Sequence, residues 1–554
     1  MAMEGSGPMG KRIGGRIDSL LAFLEKDRLN LWQTFAYVLI LALARDMLEY
    51  YLLDEAFVTT THPWIFSIAH HVSFFVLTYL GLVLILKVFS GSSLRKCINY
   101  TNWYYWIILL PPLIDRFLFG QDTNYAYFSW TDFLTAFFKF EGTSFHPGQA
   151  VEVLTVLFAL FAYVIWLHRD EMYDLPGRAV LAVRLGLMAV FTFAAMFTLG
   201  TPGAYLPVGS ENGIPVFPSF DSTRYVQYHL FIFAYYYLAA VVLVLALSYI
   251  ALRGRFRREL WALRPYQTAF FGGIVLAGTA MAWRGWGGPE LISRIFEPPY
   301  WVNLAYVVPT VLSAVLAWQA IVLWNDISDR EWDSPTKEGR VIASGLLPVG
   351  VFKEASGVLA FVSLAVSLLL SVQQFLIMAG ILVLAFVYSF PPVRFKNALL
   401  SPVLMGAGAF LAFLYGAATP FSVVSSVVDS PYLTGEVFHP SLYPEIVMVG
   451  LFMFIGLVVG SIITDVDGYE EDRVGGVRTV YTVLGLERGV NCVAVLIFLA
   501  SLTPLVLFHS APDLVAFPAL GLAAALWFRR ARRSRPVMSI AMVGLLYAAL
   551  RFLL

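Results

Sequence analysis

The sequence predicts an all-α, polytopic membrane protein of about 15 transmembrane helices, a six-helix membrane domain followed by a nine-helix bundle. Three observations predict it. First, 59% of the 554 residues are hydrophobic and 13% charged, where an average soluble domain is about 25% charged. Second, apolar stretches long enough to cross a bilayer recur along the whole chain. Third, the basic residues alternate in density from loop to loop.

In the first half the expected spans are 31–53, 66–89, 102–118, 148–167, 179–200 and 227–252. In the second half they are 267–284, 303–324, 350–371, 374–390, 400–418, 443–463, 488–508, 513–528 and 537–553. With the N-terminus placed in the cytoplasm, the loops on that side carry 26 Lys and Arg and the opposite loops 4. One miscounted span would scramble that asymmetry, so it supports both the count and the orientation.

Residues 1–30 form a cytoplasmic N-terminal segment, glycine-rich and then charged. It lacks the apolar core and cleavage site of a secretory signal, so the first span is expected to be retained. Residues 31–255 form the six-helix domain and 257–554 the second domain. The basic stretch Arg253, Arg255, Arg257, Arg258 marks the boundary. Two long outer loops, 201–226 and 419–442, read as surface connections. The formal net charge of zero gives no reason to expect nucleic acid. Cys97 and Cys492 are far apart and offer neither a disulfide framework nor metal-ligand spacing.

The informative segment is Leu323 to Asp333, where a strongly apolar span emerges. Asn325, Asp329 and Asp333 are spaced by four and share a helix face, with Asp326 beside it. Such close oxygen ligands repel each other unless a cation sits among them, and hard oxygens suit Mg²⁺, which shares its shell with substrate phosphates. The bland alternative is a solvated helix end. A second acidic cluster, Asp465, Asp467, Glu470, Glu471 and Asp472, follows another span on the same side, with an ordinary acidic loop as its alternative. Lys337 and Arg340 flank the first cluster, Arg473 and Arg478 the second. Arg394 and Lys396 follow the helix-ending Pro391-Pro392. Fixed cations can bind a leaving diphosphate. Plain positive-inside topology explains any one of them alone.

This pattern resembles the UbiA superfamily of intramembrane prenyltransferases, from about Leu263 to the C-terminus. Asn325-Asp326-x-x-Asp329-x-x-x-Asp333 is similar to its first aspartate-rich motif. The continuation through Arg340, Ile342, Ser344 and Gly345 looks like that motif's extension, with Val341 in place of the usual proline. Tyr388-Ser-x-Pro391-Pro392-x-Arg394-x-Lys396 resembles another signature. Asp465, Glu470, Asp472, Arg473, Gly476, Thr479 and Gly485 resemble the second aspartate-rich motif. Its central aspartate falls at Gly468 here, with Asp467 and Glu471 as nearby substitutes.

The resemblance implies a nine-helix bundle around an apolar cavity, and a Mg²⁺-dependent transfer of an isoprenoid group from an allylic diphosphate to an aromatic or lipid acceptor. Asn325, Asp326, Asp329, Asp333, Asp465 and Asp472 are then the expected metal ligands. Asp329, Asp333, Asp465 and Asp472 are expected to be catalytic. Lys337, Arg340, Arg394, Lys396 and Arg478 are expected to bind the diphosphate. Two alternatives stay open: phosphoribosyl-type transfer to a polyprenyl phosphate, and a non-catalytic lipid-binding or transport protein on a decayed fold.

In the first half, Arg45, Asp46, Glu49, Asp115 and Arg116 fall in or near spans, where each charge costs about 2.5–3.5 kcal/mol or more. Arg45 and Glu49 can pair at i,i+4. Interhelical glue and a ligand or lipid path are the two readings. His70 and His71 lack a nearby third metal ligand. This half is expected to present a lipid acceptor, bind a partner enzyme or act as a scaffold.

Overall fold

The structure is a computed structural model and describes residues 8–52, 64–121, 146–200, 210–211, 214–215, 222–252, 264–287, 304–329, 349–390, 395, 400–419 and 444–553. Among these, the β structure is one antiparallel pair of two-residue strands, Ser210–Glu211 with Ile214–Pro215. Everything else of regular structure is helical. Among the described residues 11 helices are long and apolar enough to cross a membrane. The chain is an integral, multi-pass membrane protein. It divides into two compact units, Met1–Arg258 and Glu259–Leu554.

The first unit opens with α1 (Pro8–Leu24), followed by α2 (Leu31–Leu52), α3 (Trp64–Ser90) and α4 (Leu94–Tyr104). The N-terminal segment is anchored by acids that meet basic residues. Asp18 pairs with Arg169 at 2.9 Å, Glu25 with Lys96 at 2.7 Å and Asp27 with Arg95 at 2.7 Å. Tyr163 donates to Glu25 at 2.7 Å and Asn99 to Asp27 at 2.7 Å. These contacts put the N-terminal segment, the start of α4 and the turn after α6 (Pro147–Leu167) at one end of the unit.

The expected span 102–118 is not one helix. After α4 comes a 3-10 turn, Tyr105–Leu109, and then α5 (Leu110–Leu118). Pro111 and Pro112 explain the break, because neither has an N–H to continue the ladder. Pro112 leaves the Ile108 carbonyl without its i+4 donor, and Arg45 Nη1 takes it at 2.6 Å. The unit is completed by α7 (Leu175–Gly200) and α8 (Ser222–Leu252). Its core gathers Val38, Leu82, Leu86, Tyr100, Tyr105 and Tyr163.

The second unit begins with α9 (Pro265–Gly287), α10 (Leu304–Ser328), α11 (Val349–Leu370), α12 (Val372–Ser389) and α13 (Ser401–Ala417). Their shared core is built from Phe271, Val275, Ala314, Ala317, Ala320, Met378 and Phe413. Small residues let the helices approach closely, since apolar side chains gain little over lipid tails. A Cβ on Gly278 would collide with the Phe413 carbonyl, and one on Gly416 with the Val275 carbonyl. The two glycines thus set the α9–α13 contact from both sides.

A buried polar network runs through the same helices. Tyr415 hydroxyl lies 2.7 Å from Ser313 and 2.9 Å from Ser367, and Gln374 donates to Thr310 at 3.2 Å. Satisfied groups of this kind fix register where hydrophobicity cannot. The unit continues with α14 (Pro444–Thr464), the short α15 (Tyr469–Gly475) and α16 (Val480–Leu484), then α17 (Leu486–Leu502), α18 (Ala511–Ala531) and α19 (Ser534–Leu553). Ile463, Tyr481, Val493, Ala525 and Phe528 form their core. Asp513, fully buried, accepts from Arg551 at 2.9 Å and Tyr547 at 2.7 Å, joining α18 to α19.

Candidate active site

The last turn of α10 presents the first acidic motif. The Asp329 N–H donates to the Asn325 carbonyl at 3.0 Å, so the helical turn persists through Asp329 and keeps both side chains on one face. Asp329 is 5% exposed and Asp326 6% exposed. Two buried carboxylates at a helix C-terminus are unfavourable both for desolvation and for the helix dipole. For Asp326 the chain supplies a cation. Arg264, immediately before α9, donates to Asp326 in an ion pair. Its backbone is left-handed, with φ of 51°, a conformation that costs a non-glycine residue energy. Asp326 therefore already has a cation partner from within the chain.

The second motif begins one residue beyond α14. The chain turns tightly through Asp465 to Gly468, with Asp467 N–H donating to the Thr464 carbonyl at 3.2 Å, and re-enters a helix at α15. Gly476, at φ of 69°, ends α15 in the left-handed conformation that suits glycine. Thr479 then caps α16 by accepting from the Thr482 N–H at 3.2 Å. These roles explain why a glycine and a threonine follow the acids at that spacing.

Three acids of this segment have different surroundings. Asp465 is half-buried, and burial, then the neighbouring Asp472 carboxylate, push its carboxyl up to about 7. Asp467 instead accepts from the Ser534 N–H at 3.2 Å and from the Ser534 hydroxyl, capping the start of α19. Glu471 is exposed. Among the described residues, a Cβ at Gly468 would find only the Asp472 Oδ2, at 3.8 Å. Asp467 is thus occupied by the scaffold. The position the resemblance assigns to a central aspartate faces Asp472 and is empty of side chain.

Tyr388 stands on the last turn of α12. Its hydroxyl lies within electrostatic reach of both Asp329 and Asp465, and Ser401 donates to it at 3.2 Å. Ser389 Oγ next to it and the Tyr481 hydroxyl are buried with no hydrogen-bond partner among the described residues. Tyr481 is itself within electrostatic reach of Asp465 and Asp467. An aromatic group adjoins the first motif. Trp324 meets Phe386 at 5.9 Å and Phe390 at 6.4 Å between ring centroids, both edge-on.

Of the residues picked out in the sequence, Asn325, Asp326, Asp329, Asp465, Asp472 and Arg478 are described, and Arg478 is exposed. Asp333, Lys337, Arg340, Arg394 and Lys396 lie outside the described residues. Sequence reasoning missed Arg264 as the partner of Asp326 and Ser534 as the partner of Asp467. Neither carries a local signal, because the pairs are 62 and 67 residues apart.

Among the described residues no three of His, Cys, Asp or Glu gather in a metal-holding group. The donor chemistry still suits a hard divalent cation. Asn325 and Asp329 supply oxygen from the end of α10, and Asp465 from the turn after α14. The like-charged Asp465 and Asp472 are a pair that a cation relieves.

Comparison with known proteins agrees with the motifs. The UbiA prenyltransferase family matches residues 273–543. A lycopene elongase/hydratase of Halobacterium salinarum is 29% identical over 262 residues, 46% of this chain and 82% of the relative. Two solved structures align with the chain at a TM-score of 0.36 each. A digeranylgeranylglyceryl phosphate synthase is 14% identical over 52% of this chain and 98% of its own. A UbiA homologue from Archaeoglobus fulgidus, solved with GPP and Mg²⁺, is 18% identical over 53% of this chain and 97% of its own. The C-terminal half of the chain belongs to the UbiA prenyltransferase family and is a membrane-embedded prenyltransferase.

Proposed function

We propose that the second unit transfers an isoprenoid group from an allylic diphosphate to an apolar lipid acceptor, with release of diphosphate. One observation supports this above the others. The Tyr388 hydroxyl lies within electrostatic reach of Asp329 and of Asp465, as expected if the two acidic motifs serve one diphosphate.

Asn325, Asp329 and Asp333 on one side, with Asp465 and Asp472 on the other, are the residues that hold Mg²⁺ in this proposal. Mg²⁺ supplies Lewis-acid neutralisation of the departing diphosphate. Asp326, on the same helix end, pairs with Arg264 at the start of α9. Arg478, Lys337, Arg340, Arg394 and Lys396 offer cations to the phosphate oxygens. Trp324, Phe386 and Phe390 present aromatic faces near the first motif, where positive charge on the allylic group is stabilised. The apolar helices exclude water, which would otherwise quench that charge. The excess of Lys and Arg in the loops on that side supports a cytoplasmic face for the motifs and the N-terminus.

The relative from Halobacterium salinarum is named for lycopene, an apolar polyene, and this favours a hydrocarbon over an aromatic acid as acceptor. The test uses full-length protein in lipid nanodiscs with geranylgeranyl diphosphate, lycopene and Mg²⁺. Diphosphate release and a prenylated lycopene are expected, both lost on adding EDTA and both lost in Asp329→Ala. Diphosphate release that persists in EDTA or in that variant refutes the proposal. Diphosphate release without a lycopene product refutes the acceptor alone.

A further inference from the structure

The turn between α18 and α19 carries five arginines within seven residues: Arg529, Arg530, Arg532, Arg533 and Arg535. All five are exposed. Among the described residues, none of their guanidinium groups has an ion pair or a hydrogen bond. Arg95, Lys96, Arg169 and Arg473 show the contrast, each with a carboxylate within 3.3 Å. From Leu514 to Leu554 the sequence holds no Asp or Glu, so the two helices cannot neutralise their own turn. The carboxylate that meets the turn is Asp467, and it accepts from Ser534. Basic charge beside a membrane helix sets its orientation, but other loops of this chain meet that need with two cations, as at Arg95 and Lys96.

The turn is braced. Arg532 ends α18 in the left-handed conformation, φ 50°, with its N–H donating to the Phe528 carbonyl at 2.9 Å. That conformation costs a non-glycine residue energy and persists where the surroundings impose it. Ser534, between Arg533 and Arg535, is 6% exposed and held by Asp467 through both its N–H and its hydroxyl. Each helix also leads an exposed apolar stripe up to the arginines. On α18, Leu522 and Leu526 are followed at helical spacing by Arg529 and Arg530. On α19, Arg535 is followed by Met538, Met542 and Leu545. These apolar side chains are exposed, whereas Ala524, Ala525, Phe528 and Val537 are buried. Trp527, 55% exposed, stands where stripe and arginines join, the place of an interfacial aromatic.

We propose that the α18–α19 turn is a binding site for an anionic phospholipid of the surrounding bilayer. The phosphate meets the arginines, and the acyl chains lie along the two apolar stripes. A guanidinium offers paired N–H donors that match phosphate oxygens. A run of four to eight basic residues at the end of a membrane helix attracts anionic headgroups, each cation adding to the binding. Both halves of the surface are then covered: the charge by phosphate and the stripes by hydrocarbon. A free phosphate leaves the stripes bare, and a zwitterionic headgroup brings a positive charge back to a cationic turn. The Ser534–Asp467 contact places this site beside the second acidic motif.

The experiment titrates full-length protein with phosphatidylglycerol or phosphatidylcholine and reads bound lipid and oligomeric state by native mass spectrometry. Wild type is expected to bind phosphatidylglycerol in preference to phosphatidylcholine. Arg529→Gln/Arg530→Gln and Arg533→Gln/Arg535→Gln are each expected to raise the phosphatidylglycerol dissociation constant at least tenfold and to leave that of phosphatidylcholine within twofold. Arg16→Gln/Lys26→Gln removes the same charge from exposed positions of the first unit and is expected to change neither by more than twofold. Helix content by circular dichroism checks folding, and if one turn pair loses it the other carries the comparison. An equal loss of affinity in the Arg16/Lys26 variant overturns the proposal, as does undiminished affinity in a folded turn variant. Binding of soluble glycerophosphoglycerol as tightly as the lipid would assign a free-phosphate site instead. Loss of a dimer rather than of lipid in the turn variants would assign the face to a second copy of the chain. Either result overturns the lipid assignment.

Discussion

Replacing Asp467 with Asn separates the scaffold from the metal site within one short turn. Asp467 accepts twice from Ser534, from the N–H at 3.2 Å and from the hydroxyl, at the first residue of α19. Losing an N-cap costs about 0.5–2 kcal/mol, and a hydrogen bond to a charged group contributes about 1.5–3 kcal/mol when well ordered. Asp467 is exposed, which places its share toward the lower ends. Asn keeps one acceptor oxygen and loses the charge. A loss of about 1 kcal/mol is therefore expected for Asp467→Asn, and about 2 kcal/mol for Asp467→Ala. The Mg²⁺ concentration that half-saturates diphosphate release should stay within about twofold of wild type in Asp467→Asn, whereas Asp472→Asn should raise it about tenfold or more, equivalent to ~1.4 kcal/mol. The assay is diphosphate release against Mg²⁺ in nanodiscs, with thermal unfolding measured on the same samples. A tenfold rise in Asp467→Asn, without loss of thermal stability, would show that Asp467 is a ligand and refute the assignment.

Three further outcomes follow from the same geometry. Gly468→Asp places a carboxylate beside Asp472, since the backbone there (φ −101°, ψ 8°) admits any residue and the Cβ meets, among the described residues, only Asp472 at 3.8 Å. Tighter Mg²⁺ dependence is expected, and an unchanged or weaker one counts against Asp472 as a ligand. In metal-free protein, the Asp465 carboxyl titrates near 7 in the folded state, above its ordinary 3.8, so the native state holds a proton that the unfolded chain has already lost. Stability should fall as pH rises from about 4 to 7 and level off above. Thermal scans across that range check this, and Asp465→Asn should flatten the profile; an identical slope in the variant contradicts it. Arg264→Gln removes the cation paired with the buried Asp326 carboxylate, at a cost of about 3 kcal/mol. Adding Asp326→Asn should recover most of that loss, and two losses that simply add would show that the pair is not coupled.

Much of the site was legible because helix geometry is local. The four-residue spacing of Asn325 and Asp329 sufficed to put them on one face, and Gly476 and Thr479 carry recognisable stop and cap signals. The i,i+4 spacing of Arg45 and Glu49 likewise announced their ion pair. What spacing could not supply were the partners chosen by tertiary packing. Arg264 reaches Asp326, and Ser534 reaches Asp467, across more than sixty residues. Both pairings change the role of an acid that looks, in sequence, as available as its neighbours. The break at Tyr105–Leu109 had a readable cause in Pro111-Pro112, but a strongly apolar stretch outweighed it. The freed Ile108 carbonyl then became the anchor of Arg45, a consequence that only the fold reveals.

The most direct measurement is a double-mutant cycle on Mg²⁺-dependent diphosphate release, using Asp329→Asn, Asp465→Asn and the pair together. If both carboxylates act on one diphosphate, the second substitution costs far less in the presence of the first, leaving a coupling of about 1 kcal/mol or more. Losses that add to within about 0.3 kcal/mol would mean that the two motifs work apart and would contradict a shared site.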